Sequence, residues 1–461
     1  MIFSHKFSPI ILRKYDIRGV VGEDLNPIDA YALGLAFVTY LKNQNLKPTI
    51  AVIKDARSSG IVLKNEIIHG ITDGGGTVFD CGIGTSPLCY FASHHLKTSG
   101  FISITGSHNP INYNGFKFGI TGQAFSEEKI LEIAELAKYL EIDLNISGNE
   151  NIVDCSDIKN TYIERILQDV PHLSNIHLKI GFNALNGSAG IILPELAKKL
   201  NAKTFECEMN SELQTVLDPS NHQNIERIQS DLKTHDLDVI FAFDGDADRI
   251  MAITKSKVFF GEDILFLCVR EVFSKISSGK VIFDVKCSNA LKHEITKCGG
   301  TPIMYKTGHS LIKHKMLEEQ AVLAGECSGH IYFKNGYYGF DDGIYTAIRV
   351  LSYFASSNKT IEEVISEFPK LLKSPEIKVH CDEKFVIVEK LQKLMKIKGL
   401  NFNDIDGVRC EVNETSWFLV RASNTEEVLI VRYEAENESD FNYVANLTKG
   451  LLNELDVKFL G

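Results

Sequence analysis

TIAVIKDARSSG, residues 49–60, is the stretch on which the fold turns. An apolar run breaks into a polar loop, and the helix-length segment IVLKNEIIHGI follows at once, which is how a βαβ unit opens. The same events return at LKIGFNALNGSAG (178–190) with IILPELAKKL, and at GKVIFDVKCSNA (279–290) with ALKHEITKCG. A second short strand follows each time, in GTVFDCGIGTSP (76–87), AKTFECEMNSEL (202–213) and GTPIMYKTGHSLI (300–312). Another helical segment then leads to a third strand ending in a polar loop: FISITGSHNP (101–110), DVIFAFDGDADR (238–249) and AVLAGECSGH (321–330).

Strands alternating with helices imply parallel pairing, because a parallel connection needs a crossover. The pattern predicts an α/β protein: three similar mixed α/β domains with mainly parallel sheets, followed by a smaller α+β C-terminal domain. SPEIKVHC, KFVIVEKLQKLMKIKGL, WFLVRASN and VLIVRYEAEN mark that last part. Boundaries are expected at 1–152, 153–253, 254–368 and 369–461. Asn26 and Pro27 predict the start of a helix ahead of the first unit. Ligands bind at the carboxyl ends of such sheets, so the three polar loops are expected to face one central cleft.

With 461 residues, the chain exceeds what one core serves. Its formal charge of −11 comes without a Lys/Arg run, which argues against nucleic-acid or membrane-surface partners. Ten scattered cysteines without a CxxC pair read as reduced thiols rather than disulfides or a zinc site. No stretch has the length of a membrane span or the form of a signal peptide, so a cytoplasmic protein is expected.

The loops carry the chemistry. In DGDADR, Asp244, Asp246 and Asp248 alternate just after an apolar strand. Carboxylates so crowded repel one another unless a hard cation such as Mg²⁺ or Ca²⁺ lies between them. Arg249 follows, where an EF-hand would need glycine. In TGSHNP, Ser107 has no triad spacing or GxSxG around it, but its hydroxyl could carry a phosphoryl group. Asn109 and Pro110 would hold that loop, His108 would support it, and Lys117 would stabilise charge or move a proton.

GECSGH offers Glu326 and Ser328 as acceptor and donor for sugar hydroxyls, with His330 beside them. Lys286 and His309, at two earlier strand ends, could line the same wall. In RASNTEE, Arg421 supplies a fork for phosphate, and Ser423, Asn424 and Thr425 add short donors. Each segment alone also reads as an ordinary turn. The ordered set is what separates the two readings.

Taken together, KYDIRGVVGEDL (14–25), TGSHNP, NGFKF (114–118), DGDADR, KTGHSLIK (306–313), GECSGH and RASNTEE resemble the α-D-phosphohexomutases, in the bacterial phosphomannomutase/phosphoglucomutase branch. The resemblance implies four domains around a cleft, Ser107 as the phosphoserine, and Mg²⁺ on Asp244, Asp246, Asp248 and the seryl phosphate. It implies Arg18, Lys117 and Arg249 near the transferring phosphate. Tyr15, Lys286, His309, Glu326, Ser328 and His330 would line the sugar, and Arg421, Ser423, Asn424 and Thr425 would hold the second phosphate.

The implied activity is reversible transfer between the 1- and 6-positions of mannose or glucose phosphates. Glucose 1,6-bisphosphate or mannose 1,6-bisphosphate would be intermediate and activator, and the enzyme a monomer or weak homodimer. Lys54, Cys327 and Glu427 depart from residues common in the family, and none of these changes removes a proposed catalytic group. Three alternatives remain open from sequence. They are a phosphoglucosamine mutase (against which TGSHNP with Cys327 argues), a metal-dependent sugar phosphatase, and a non-catalytic sugar-phosphate binder.

Overall fold

The computed structural model describes residues 2–123, 125–140, 142–143, 151–171, 173, 176–209, 217–357, 359–424 and 426–458. Its first three sheets are built on one plan. In the first, Thr77–Ile83, Thr49–Lys54, Gly100–Ile104 and Tyr113–Ile120 lie side by side in that order. In the second the order is Lys203–Phe205, Ile180–Asn183, Val239–Phe243 and Ile250–Thr254. In the third it is Gly300–Tyr305, Gly279–Asp284, Leu323–Gly325 and Ile331–Phe333. Each time the first three strands are parallel and the fourth returns antiparallel.

The sequence pattern predicts three strands per unit, and the fourth is an addition. It makes every functional loop the tip of a hairpin, between third and fourth strands, at the carboxyl end of the parallel ladder. The sheets are thus mixed and mainly parallel, as the sequence pattern predicts. Ile17–Val20 and Ile152–Asp154 extend the first sheet at its two edges, and Val258–Phe259 extends the second.

Central strands are apolar throughout because helices cover both faces. Val239–Phe243 and Gly100–Ile104 are buried along their whole length. Helix Pro27–Asn43 begins where Asn26 and Pro27 predict, and Asp29 returns its carboxylate to the Asn26 N–H at 2.7 Å. Helix Ser86–His95 is capped by Thr85, whose Oγ1 accepts from the Leu88 N–H at 3.1 Å.

The C-terminal part is antiparallel. Strands Val408–Glu411, Trp417–Ala422 and Val428–Ala435 pair in sequence, and Leu372–Lys373 and Ile377–His380 both join the last of them. Helices Lys384–Ile397 and Glu438–Asn453 pack on this sheet around a core of their own. One larger apolar cluster instead runs continuously through the first, second and third sheets, from Ala51 to Val364. Where the last sheet meets the third, a small apolar cluster of Val285, Trp417 and Leu419 is flanked by polar contacts. Arg409 stacks on Trp417 at 3.6 Å and donates to the carbonyls of Val285 and Cys287. Arg432 donates to the Lys286 carbonyl and to Glu262.

No disulfide forms among the ten cysteines. Among the described residues, no helix is long and apolar enough to cross a membrane.

Candidate active site

Ser107 sits at the tip of the first hairpin with φ +50°, a left-handed conformation that costs a non-glycine residue energy unless the surroundings impose it. Its N–H donates to Thr105 Oγ1 at 2.8 Å. The main constraint comes from a residue to which the sequence pattern assigns no role. Arg57, buried in the DARSSG loop, donates to the carbonyls of Ser107, Asn109, Pro110 and Tyr113 at 2.6–2.9 Å. Asp55 holds its Nε at 3.2 Å and accepts from the Gly106 N–H at 3.2 Å. Lys54 braces the same loop, donating to the Asp55 carbonyl. A side chain at Gly106 would put its Cβ 2.6 Å from the Arg57 guanidinium carbon. A lone arginine after a strand gives no sign that its partners lie some fifty residues on.

The second hairpin docks against the first. A Cβ on Gly245 would stand 2.4 Å from the Ser107 carbonyl oxygen, so the two backbones are in contact. Ser107 Oγ donates to Asp244 Oδ2 at 3.1 Å and also lies 3.1 Å from His108 Nδ1. Lys117 is on the returning strand opposite Ser103 and reaches Asp246 Oδ2 at 2.7 Å and Asp248 Oδ2 at 2.5 Å. Ser86 Oγ donates to Asp246 Oδ2 at 2.5 Å.

All three aspartates are fully buried, and their ligand atoms lie within 4.8 Å of one another. The Oδ1 atoms of Asp246 and Asp248 have no hydrogen-bond partner. Buried carboxylate oxygens left bare at that spacing, all hard donors, fit a divalent cation such as Mg²⁺.

The electrostatics agree with this placement. Burial, then Asp248 and Asp246, push the Asp244 carboxyl well above the usual range. Burial opposes charge on Lys117, but Asp246 and Asp248 outweigh it and hold the ammonium above its ordinary value. The Arg249 guanidinium, then burial, then Arg18 hold the His108 imidazole well below its ordinary value. Arg18 donates to Asn109 Oδ1 at 2.6 Å and pairs with Asp16.

Arg249 donates from its backbone to Asp244 Oδ1 at 3.2 Å and from Nε to His330 Nε2 at 2.9 Å. That second bond ties the metal loop to the third hairpin. There Glu326 is buried and accepts from the Gly308 N–H at 2.7 Å and the Tyr332 hydroxyl at 2.8 Å. Ser328 is half-buried on the same tip. His309 opens helix His309–Glu319 and stacks 5.8 Å from His330, and burial lowers its pKa. Lys286 Nζ pairs with Glu376 Oε2 at 3.1 Å. Cys327 Sγ accepts from Arg432 Nη1 at 2.6 Å, which places it at the seam with the last domain.

The clamp faces this wall. Arg421 is buried, its Nε on Asp406 Oδ2 at 3.0 Å, and its Nη2 has no partner. An arginine donor left bare in a buried place suits an anion. Asn424 bridges to the N-terminal segment, with its Oδ1 accepting from Lys14 at 2.8 Å and its Nδ2 donating to the Tyr15 hydroxyl at 3.0 Å. Tyr15 in turn donates to the Thr307 carbonyl at 3.1 Å. Ser423 Oγ accepts from the Glu426 N–H at 3.2 Å. Thr425 lies outside the described residues.

A serine hydroxyl beside a buried acidic triad, with a bare arginine donor on a separate domain, is an arrangement suited to phosphoryl transfer. Comparison with known proteins refines this class. The chain matches the models of phosphoglucomutase/phosphomannomutase α/β/α domains I, II and III over residues 9–141, 160–257 and 260–372, and of the C-terminal domain over 376–448. The phosphomannomutase/phosphoglucomutase of Pseudomonas aeruginosa is 36% identical over 97% of this chain and 96% of its own length. The phosphoglucomutase of Neisseria gonorrhoeae is 34% identical over 96% of each. A crystal structure of a family protein from Burkholderia thailandensis superposes with a TM-score of 0.88 at 31% identity, covering 97% of this chain and 98% of that one.

The chain belongs to the phosphoglucomutase/phosphomannomutase family. It is an enzyme of the phosphomannomutase/phosphoglucomutase class.

Proposed function

We propose that the enzyme moves a phosphoryl group between the 1- and 6-positions of hexose phosphates through phospho-Ser107 and a bound 1,6-bisphosphate. The observation that carries this reading is the contact of Ser107 Oγ with Asp244 Oδ2, at 3.1 Å, beside the two bare aspartate oxygens. In the first half-reaction the seryl O–P bond breaks as phosphorus bonds to the free sugar hydroxyl oxygen, and the proton lost by that hydroxyl is balanced by the one the seryl oxygen gains. After the bisphosphate turns end for end, the second half reverses these changes on the other phosphate.

Asp244, Asp246 and Asp248 would hold Mg²⁺, which when bound neutralises charge on the transferring phosphoryl group. Arg18, Lys117 and Arg249 bring positive charge to the same place, and His108 supports the serine hydroxyl. Glu326 and Ser328 bind sugar hydroxyls, and Tyr15, Lys286, His309 and His330 complete the wall. Arg421, Ser423, Asn424 and Thr425 grip the phosphate that stays intact. The domains of this reading end near residues 152, 253 and 368.

Intact-mass and peptide analysis after incubation with glucose 1,6-bisphosphate tests the proposal. One phosphoryl group is expected on the Ser107 peptide, and none in Ser107→Ala. Phosphate release without isomerisation would favour a phosphatase instead.

A further inference from the structure

Behind Arg249 lies a chain of buried charges that takes no direct part in the transfer. His330 Nε2 accepts the Arg249 Nε–H at 2.9 Å, so that nitrogen presents its lone pair to the guanidinium and Nδ1 is the nitrogen turned the other way. Nδ1 comes within 3.0 Å of Asp341 Oδ2, obliquely to its N–H direction, and within 3.6 Å of Asp248 Oδ1. Asp341 is fully buried, and its other oxygen lies 2.5 Å from Lys313 Nζ. Lys313 in turn sits over the Tyr90 ring at 4.4 Å.

Asp248, His330 and Asp341 also meet the spacing of a cation site. Lys117 on Asp248, Lys313 on Asp341 and Arg249 on His330 already surround them with positive charge. A second dication there would be repelled from three sides.

We propose that Asp341 is a positioning residue for phosphoryl transfer, acting through His330. It stands against the Nδ1 side of the ring at 3.0 Å, keeps Nε2 turned to Arg249, and so fixes the guanidinium that meets the phosphate. Lys313 keeps the carboxylate in place. The proposal deepens the function above and rests on Arg249 facing the transferred group.

Nitrogen-15 chemical shifts of His330, assigned by comparison with His330→Gln, read the tautomer in the unaltered chain. Protonated Nδ1 with bare Nε2 is expected, and the reverse overturns the proposal. In Asp341→Asn, kcat falls about 100-fold while KM for the hexose phosphate stays within about threefold. Lys313→Met/Asp341→Asn removes both charges together and should show the same split, which guards against a loss that is only unfolding.

Adding Asp341→Asn to His330→Gln costs no further activity if Asp341 works through the ring. Additive losses overturn the idea. Titration with Mn²⁺ should show a single ion per chain, and a second one abolished by Asp341→Asn would make Asp341 a ligand instead. Absence of mutase activity in the unaltered chain would count against the function proposed above, whereas the tautomer is read without turnover.

Discussion

The transfer centre and the phosphate clamp are built to opposite specifications. Around Ser107, two hairpins touch backbone to backbone, and one arginine ties four carbonyls of the serine loop. The core beneath is shared among three domains. The clamp rides on a domain with its own core, seated on a seam of apolar and polar contacts and reaching the N-terminal segment through Asn424. The difference follows from what each region must accomplish. On the proposed mechanism, reacting atoms need a fixed geometry, whereas a bisphosphate that turns end for end needs a grip that lets go.

The sharpest way to break this comparison is Ser107→Ala. Mutase turnover in a coupled assay should fall by about 10⁴-fold or more, while binding of hexose phosphate by calorimetry is retained. Residual turnover near that of the unaltered chain would move the chemistry elsewhere. Arg57→Met comes next, since it strands four carbonyls and the Asp55 carboxylate. It should cost about 3 kcal/mol in chemical denaturation and about 100-fold in kcat. A normal rate in that variant would mean the serine loop does not depend on its brace.

On the clamp side, Arg421→Met should raise KM by about 10- to 100-fold, the equivalent of roughly 1.5–3 kcal/mol for a charge-assisted hydrogen bond. kcat should change much less. An equal loss in kcat would put Arg421 in the transfer step and erase the distinction.

The smallest effect concerns how tightly the first and third domains close. His94 stacks on Tyr338 at 4.8 Å and Phe340 at 6.0 Å, and burial, then Lys334, push its imidazole down to about 4. The folded state thus binds its proton less readily than the unfolded chain. Stability is retained above the ordinary histidine value of about 6.5 and lost as pH falls from there toward 4. At this half-buried site the loss should be about 1 kcal/mol, and His94→Gln should flatten the melting profile over that range.

Much of the rigid half is legible in the sequence. Apolar runs such as VIFAF, followed by Asp-Gly or Gly-Ser, announce buried parallel strands, and the alternating aspartates announce a candidate cation site. The returning strands are not. YNGFKFGI carries two glycines and a lysine, and IYF is three residues long, so neither shows a clear period. Arg57 and Asp341 escape notice for another reason. A buried charge is recognised by its partners, and here those lie about 50 residues away for Arg57 and 28 for Lys313 and Asp341. The clamp loop shows in composition, but nothing in RASNTEE points to Lys14 and Tyr15 on the far end of the chain.

The bare backbone at Gly245, pressed against the Ser107 carbonyl, has an outcome for biosynthesis. The acceptor hydroxyl and its acidic surroundings come from polypeptide stretches made well apart in time, and they fit only when no side chain intervenes. On the proposed mechanism, a nascent chain that ends before the second hairpin carries an inert serine. Competence arises in one step, when the two tips close on each other.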